Sequence, residues 1–185
     1  MKKRNNKGFS LIELIVVMAI LAIAIGVSFS SLTSMLHARS YKAAKTIDGM
    51  IAQSKINAMS GRKNGLFIKY DTAKKAYVCS LYYLDPSDHI SGEAYEQQEV
   101  GNDALNIIVN GENLKETAYT LRLIYNMDTG AVKNLAYSAN FNGGSSNTEM
   151  IGSQNPSAKT AVITLDSYTT HTITLYKSTG EHILD

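Results

Sequence analysis

The sequence predicts an α+β protein in which one long N-terminal helix packs on an antiparallel β-sheet. Two patterns carry this prediction. An almost unbroken apolar run near the N-terminus continues into residues that keep helical spacing. Short stretches of branched and aromatic residues follow, separated by turn residues, which is typical of strands. We expect a basic tail at 1–8, an apolar helix half at 9–34 that crosses a membrane, an amphipathic helix half at 35–62 and a β-rich head at 63–185.

The apolar run is long enough to cross a bilayer. In residues 9–29 every side chain is apolar or small except Ser10 and Glu13. At about 1.5 Å each, these residues span roughly 31 Å, close to the thickness of a bilayer core. A secretory signal peptide cleaved near Ala24 is an alternative. The length of the run, the ionisable Glu13 inside it and the helical pattern beyond it argue against that alternative.

The junction between the basic tail and the apolar run reads Lys7-Gly8-Phe9-Ser10-Leu11-Ile12-Glu13. A basic leader that ends in Gly, then Phe, then a Glu four residues further on resembles the N-terminal motif of type IV prepilins and pseudopilins. The resemblance implies a pilin-like fold, cleavage by prepilin peptidase between Gly8 and Phe9, and N-methylation of Phe9 by the same enzyme.

The same resemblance implies where the protein works and with what. Its partners would be the prepilin peptidase, other pilin or pseudopilin subunits in a filament, the inner-membrane assembly platform with its ATPase, and membrane lipid. The head would lie outside the cytoplasmic membrane on a single-pass helix, and after assembly it would stand on a cell-surface pilus or a pseudopilus. No cofactor is implied.

Glu13 has two compatible interpretations. Ser10 and Glu13 have the S-x-x-E spacing of a capping box, in which Glu13 satisfies a backbone amide at the start of a helix. A carboxylate within a membrane segment is also costly and usually marks a functional partner. The resemblance implies that Glu13 of one subunit pairs with the Phe9 ammonium of its neighbour during filament assembly.

Charge and motifs argue against a catalytic or nucleic-acid-binding protein. The chain has 18 basic and 16 acidic residues. Four of the basic residues lie in the tail at 1–8, which leaves 14 basic against 16 acidic residues, so the net charge changes from +2 to −2 without the tail. Such a subunit has no global electrostatic reason to bind nucleic acid. The four histidines show no ligand spacing and no nucleophile or phosphate-loop motif is present, so no enzyme and no metal site are predicted.

Two further features each have a structural and a chemical interpretation. Asp85, Asp88 and Glu93 offer oxygen ligands that Ca²⁺ accepts, although loop carboxylates are more often only solvated. Cys79 is the only cysteine, so it cannot form an intramolecular disulfide. Its strand-like surroundings predict a small buried core residue rather than an intermolecular bridge or a reactive thiol.

The second half of the helix is predicted to be amphipathic. Apolar and small residues recur at steps of three or four, namely Ala43, Ile47, Met50, Ile51, Ser54 and Ala58. We expect this stripe to be buried by the sheet, with Lys45 and Asp48 in solvent. Gly61 is the expected C-terminal cap.

The head is predicted to contain about seven short strands. Stretches with strand composition are 66–70, 76–84, 105–109, 119–125, 132–137, 161–165 and 172–176. Turns are expected at 71–75, 128–130 and 178–180. Residues 85–102 and 140–156 are predicted to be surface loops.

Within the family, residues 43–70 and 173–180 resemble the minor H-type pseudopilins and FimT-like pilins. FimT-like proteins that bind DNA carry basic residues around the final glycine, whereas Gly180 is followed here by Glu181, His182 and Asp185. The sequence therefore favours a minor structural subunit of a type IV pilus or of a type II secretion or competence pseudopilus. The alternative is a membrane-anchored binding protein that does not polymerise.

Overall fold

The structure is a computed structural model that describes residues 10–139, 148–152 and 154–185, with the side chains of 27–34 left undescribed. The chain divides into two compact units, Met1–Ala38 and Arg39–Asp185. A helix followed by antiparallel sheets confirms the predicted α+β class.

The first element is helix α1, Leu11–Met59, of 49 residues. It ends where the sequence predicted. Gly61 has a φ of 78°, its amide donates to the Ala58 carbonyl at 2.9 Å, and the Arg62 amide donates to the Asn57 carbonyl at 3.1 Å. This pair of hydrogen bonds is the closure that a left-handed glycine gives to a helix C-terminus. The predicted cap at Gly61 is confirmed.

The remaining elements are short. In chain order they are β1 (Asn64–Asp71), β2 (Ala76–Tyr83), β3 (Glu96–Val100), β4 (Asn106–Val109), β5 (Glu112–Asn113), α2 (Leu114–Thr117), β6 (Thr120–Tyr125), β7 (Val132–Ser138), β8 (Thr148–Ile151), β9 (Thr160–Asp166), β10 (His171–Tyr176) and β11 (His182–Leu184). All seven predicted strands are present. The strands β3, β5, β8 and β11 and the helix α2 were not predicted.

The strands form two antiparallel sheets rather than the single sheet expected. The order in the six-stranded sheet is β3-β2-β1-β6-β7-β8, and in the five-stranded sheet it is β11-β10-β9-β4-β5. Strands β3 and β8 are the edges of the larger sheet and lie in segments predicted to be loops. Strand β3 has the sequence EQQEV, so it lacks the apolar alternation by which a strand is predicted. Its Glu96 accepts a hydrogen bond from Gln53 of α1. Residues 140–147 and 153 of the second predicted loop lie outside the described residues.

The main apolar core of the second unit receives side chains from α1 and from both sheets. The predicted stripe is buried at every position, Ala43, Ile47, Met50, Ile51, Ser54 and Ala58. Lys45 is exposed as expected. The prediction for Asp48 is wrong, because this residue is half-buried and its Oδ1 lies 3.2 Å from Nε2 of His182 in β11.

Cys79 is part of this core. It is fully buried, and desolvation raises the pKa of its thiol to about 12. The expectation of a small buried core residue is confirmed. A thiol with so high a pKa carries almost no thiolate near neutral pH.

Two turns of similar sequence meet at the junction of the sheets. Gly130 closes the β6–β7 turn with a φ of 66°, and Gly180 closes the β10–β11 turn with a φ of 60°. A Cβ added to Gly180 would lie 1.8 Å from the Gly130 carbonyl oxygen, so the two backbones touch. The Val132 amide donates to the Lys177 carbonyl at 3.0 Å and ties the sheets together beside this contact.

Candidate functional site

The predicted processing site and the described helix start are neighbours in the chain. Gly8 and Phe9 lie outside the described residues, so cleavage between them and methylation of Phe9 stay predictions. Ser10 and Glu13 are described, and they form the first turn of α1.

Ser10 and Glu13 cap the helix reciprocally. The Ser10 amide donates to Oε2 of Glu13 at 2.8 Å, and the Ser10 hydroxyl donates to the same oxygen at 3.0 Å. The Glu13 amide in turn donates to the Ser10 hydroxyl oxygen at 3.3 Å. Two backbone amides that a helix start leaves unpaired are thereby satisfied. The capping-box interpretation is confirmed.

The cap uses only half of the Glu13 carboxylate. A carboxylate accepts hydrogen bonds at both oxygens. Within the described part of the chain, all hydrogen bonds to this side chain go to Oε2, and the residue is exposed. The carboxylate can therefore cap its own helix and still accept a cation at Oε1.

The helix beyond the cap presents a continuous apolar surface. Eleven large apolar side chains in its first turns are each at least 49% exposed, namely Leu11, Ile12, Leu14, Ile15, Val16, Val17, Met18, Ile20, Leu21, Ile23 and Ile25. Contiguous exposed apolar surface of this kind marks a site of contact with protein or lipid.

Within the described residues, no helix is both long enough and apolar enough to span a bilayer. The assignment of residues 9–34 as a membrane-crossing segment stays a prediction.

The acidic loop considered for calcium is occupied by lysines. Asp88 accepts from Nζ of Lys133 at 2.8 Å and lies 2.8 Å from Nζ of Lys63. Asp85 accepts from the amides of Ser87 and His89 at 2.7 and 2.9 Å. The Asp85 carboxylate therefore stabilises the backbone of the turn at residues 85–89. Among the described residues no group of three metal-ligating side chains is present.

One surface cluster was missed by the sequence analysis. The ring of Tyr41 on α1 meets the ring of His171 at the start of β10, with 5.8 Å between centroids. Nζ of Lys45 lies 6.0 Å from the Tyr41 centroid. The exposed basic residues at the start of the amphipathic half could have indicated this surface, but the aromatic partner comes from a distant strand.

Comparison with known proteins bears on the N-terminal site. A family model described as the prokaryotic N-terminal methylation motif matches residues 3–29, which include Gly8, Phe9 and Glu13. The match supports the class of type IV pilins and pseudopilins, whose motif family is structural rather than catalytic. It implies processing by prepilin peptidase and assembly with other pilins. No curated protein and no solved structure matches the chain.

Proposed function

We propose that the chain is a minor structural subunit of a type IV pilus or of a type II secretion or competence pseudopilus. The methylation motif at residues 3–29 carries the proposal. Prepilin peptidase removes residues 1–8, the amine of Phe9 is methylated, and the mature subunit waits in the cytoplasmic membrane with its head outside. The assembly platform and its ATPase then move it into a filament.

Glu13 is the residue that we assign to assembly. Its cap leaves Oε1 free of hydrogen bonds within the described residues, so the Phe9 ammonium of a neighbouring subunit can bind there without breaking the cap. Pairing removes the cost of an isolated carboxylate in an apolar environment. The exposed apolar surface of the same helix supplies the contact area that neighbours would cover.

The H-type assignment within this class rests on the end of the helix. Only Ser60 to Lys63 separate α1 from β1, and Asn64 Nδ2 donates to the Ser54 carbonyl at 3.2 Å. The helix is thus followed closely by β1, one of the two central strands of the larger sheet. This arrangement supports the resemblance of residues 43–70 to minor H-type subunits.

The decisive experiment separates the charge of Glu13 from its capping role. Glu13→Gln keeps a side chain that can complete a capping box but has no charge. Ser10→Ala breaks the cap and keeps the carboxylate, and Glu13→Ala loses both. Filaments are sheared from cells that express each variant, and the subunit is measured in the sheared and membrane fractions.

We expect Glu13→Gln and Glu13→Ala to lower incorporation into sheared filaments, with Ser10→Ala incorporated nearly as well as wild type. Insertion should be intact in all three, because it does not need a neighbour. Equal incorporation of every variant would remove the assembly role of Glu13, whereas absence of the wild-type subunit from the sheared filaments would favour the non-polymerising tether. A defect shared by Ser10→Ala and Glu13→Ala but absent from Glu13→Gln would reduce Glu13 to a cap.

A further inference from the structure

We propose that a basic and aromatic surface at the start of the second unit binds the anionic headgroups of membrane phospholipids. Its residues are Arg39, Tyr41, Lys42, Lys45 and Tyr168, which we call the headgroup surface. The proposal rests on the membrane location in the proposed function and adds a specific lipid contact made by the head.

The helix supplies four of these residues from its exposed side. Arg39, Lys42 and Lys45 are spaced by three and are all exposed, and Tyr41 is 51% exposed. Residues three or four apart share one face of a helix. The buried residues of the same turns, Ser40, Ala43 and Ala44, face the core instead.

The fifth residue is held in place by the turn between β9 and β10. Oγ of Ser40 donates to the Thr169 carbonyl at 3.1 Å, and the ring of His171 packs edge-on against Tyr41. Tyr168 directly precedes Thr169 in this turn and is itself 52% exposed. The turn that carries the exposed Tyr168 is therefore joined to the helix at Ser40 and Tyr41, and Lys45 lies over the Tyr41 ring.

Two of the cations, Lys42 and Lys45, lie on α1 near acidic residues that pair elsewhere or face another way. Within the described part of the chain neither Lys42 nor Lys45 forms a salt bridge, and the nearby Asp48 pairs with His182. Asp166 and Asp185 lie near the same end of the five-stranded sheet. Strand alternation places them on the opposite face from Leu165, His171 and Leu184, and so away from the helix.

An anionic membrane surface is the partner that this chemistry fits. Tyrosine rings sit at the level of the headgroups, and lysine or arginine beside an apolar segment is attracted to anionic lipid. Arg39 comes only ten positions after Phe29, the last residue of the apolar run. A nucleic-acid partner is less well matched, because the chain without residues 1–8 is slightly acidic.

The test exploits the absence of tryptophan from the chain. Tyr168→Trp introduces a single fluorescent reporter on the headgroup surface. Full-length protein is reconstituted into phosphatidylcholine vesicles with or without phosphatidylglycerol, and flotation confirms its incorporation. Emission wavelength and quenching by brominated lipid are then measured at low and high salt.

We expect a blue shift and strong quenching only in vesicles that contain phosphatidylglycerol, and we expect both to weaken as salt rises. In the Tyr168→Trp protein, Lys42→Gln together with Lys45→Gln should abolish most of the difference in emission and quenching between the two kinds of vesicle. Arg62→Gln with Lys69→Gln removes equal charge from exposed positions at the other end of α1 and in β1, and should leave the difference between the two kinds of vesicle intact.

The outcomes separate the two proposals. Protein that floats with both kinds of vesicle but gives identical emission and quenching would overturn the headgroup surface and leave the pilin assignment standing. If both double variants lost the phosphatidylglycerol-dependent blue shift and quenching equally, the effect would be one of general charge. That result would also overturn the headgroup surface. Protein that fails to float would overturn the membrane subunit itself.

Discussion

Nε2 of His182 lies 3.2 Å from Oδ1 of Asp48, so strand β11 is joined to the C-terminal half of the long helix. Both side chains are largely shielded, with 14% and 31% of their surface exposed. The contact explains why an acidic residue tolerates a half-buried position on the helix, since a buried polar group without a partner is destabilising.

This contact can be measured by a double-mutant cycle. Asp48→Asn and His182→Gln should each lower the free energy of unfolding, and the pair should be coupled by more than about 0.5 kcal/mol, because the residues touch. Denaturant unfolding of the full chain in detergent measures all four proteins. Asp128→Asn, on an exposed turn, is the surface control and should show no coupling to His182→Gln. Strict additivity at Asp48 and His182 would contradict the contact.

The buried stripe predicts a sharp contrast between two isoleucines of one helix. Ile47 is fully buried, whereas Ile56 is 63% exposed. Ile47→Ala should lower the free energy of unfolding by about 2–5 kcal/mol, through lost burial and the cavity left behind. Ile56→Ala should change it by less than about 0.5 kcal/mol in the same denaturant titration. Similar effects of the two substitutions would mean that the buried face of α1 is misassigned.

Because the β6–β7 and β10–β11 turns touch, we expect a substitution at Gly180 to destabilise the protein more than one at Gly92, which also has a positive φ. Gly92 has a φ of 82° with open space around it, and Gly180 has a φ of 60° with a carbonyl in the way. Both alanine variants bear the cost of a left-handed backbone, which is about 1 kcal/mol. Gly180→Ala should cost clearly more, and the gap between their melting temperatures measures the close approach. Equal melting temperatures would show that the turns separate freely.

Stability in acid should depend on Asp88. Burial alone raises the pKa of this carboxyl, but hydrogen bonds from Lys133 and Lys63 outweigh it and hold the pKa below its usual range. A carboxyl whose pKa is lowered by folding stabilises the folded protein at any pH above its unfolded-state pKa, which is about 3.9 for Asp. This stabilisation is lost as the pH falls through the pKa of the folded state.

Asp88→Asn should therefore unfold more easily than wild type at neutral pH, and the difference should shrink as the pH drops below about 4. Urea unfolding across this range tests the expectation. Glu93→Gln, which changes a carboxylate of the same loop, serves as the control. A difference between wild type and Asp88→Asn that is constant with pH would contradict the ion-pair role of Asp88.

Processing is tested at Gly8. Mass spectrometry of protein from a host with an active prepilin peptidase should show a chain that starts at Phe9 and is heavier by one methyl group. Gly8→Val places a branched side chain at the cleaved bond and should leave residues 1–8 attached, while Lys7→Ala should still be processed. Cleavage near Ala24, or an intact terminus in wild type, would refute the prepilin assignment.

Local patterns in the sequence anticipated much of this molecule. Spacing within a few residues sets the helix stripe, the Gly61 cap, the Ser10–Glu13 capping box and the seven predicted strands. The missed features depend on distant partners. Strand β3 is a polar edge recognised only through its pairing with β2, and nothing near Asp48 in the sequence points to His182. Likewise the meeting of Tyr41 with His171 follows from the tertiary fold, which periodicity does not encode.

The capping box at Ser10 and Glu13 has a consequence for the order of events in maturation. Both of its residues lie after the Gly8–Phe9 bond, so loss of the leader would take away no hydrogen bond of the cap. Starting a helix is its costly step, because several dihedral angles are fixed before the first hydrogen bond is gained. A subunit cleaved after Gly8 would thus keep the first turn of its helix intact. Its new N-terminal residue, Phe9, would directly precede Ser10 of the cap.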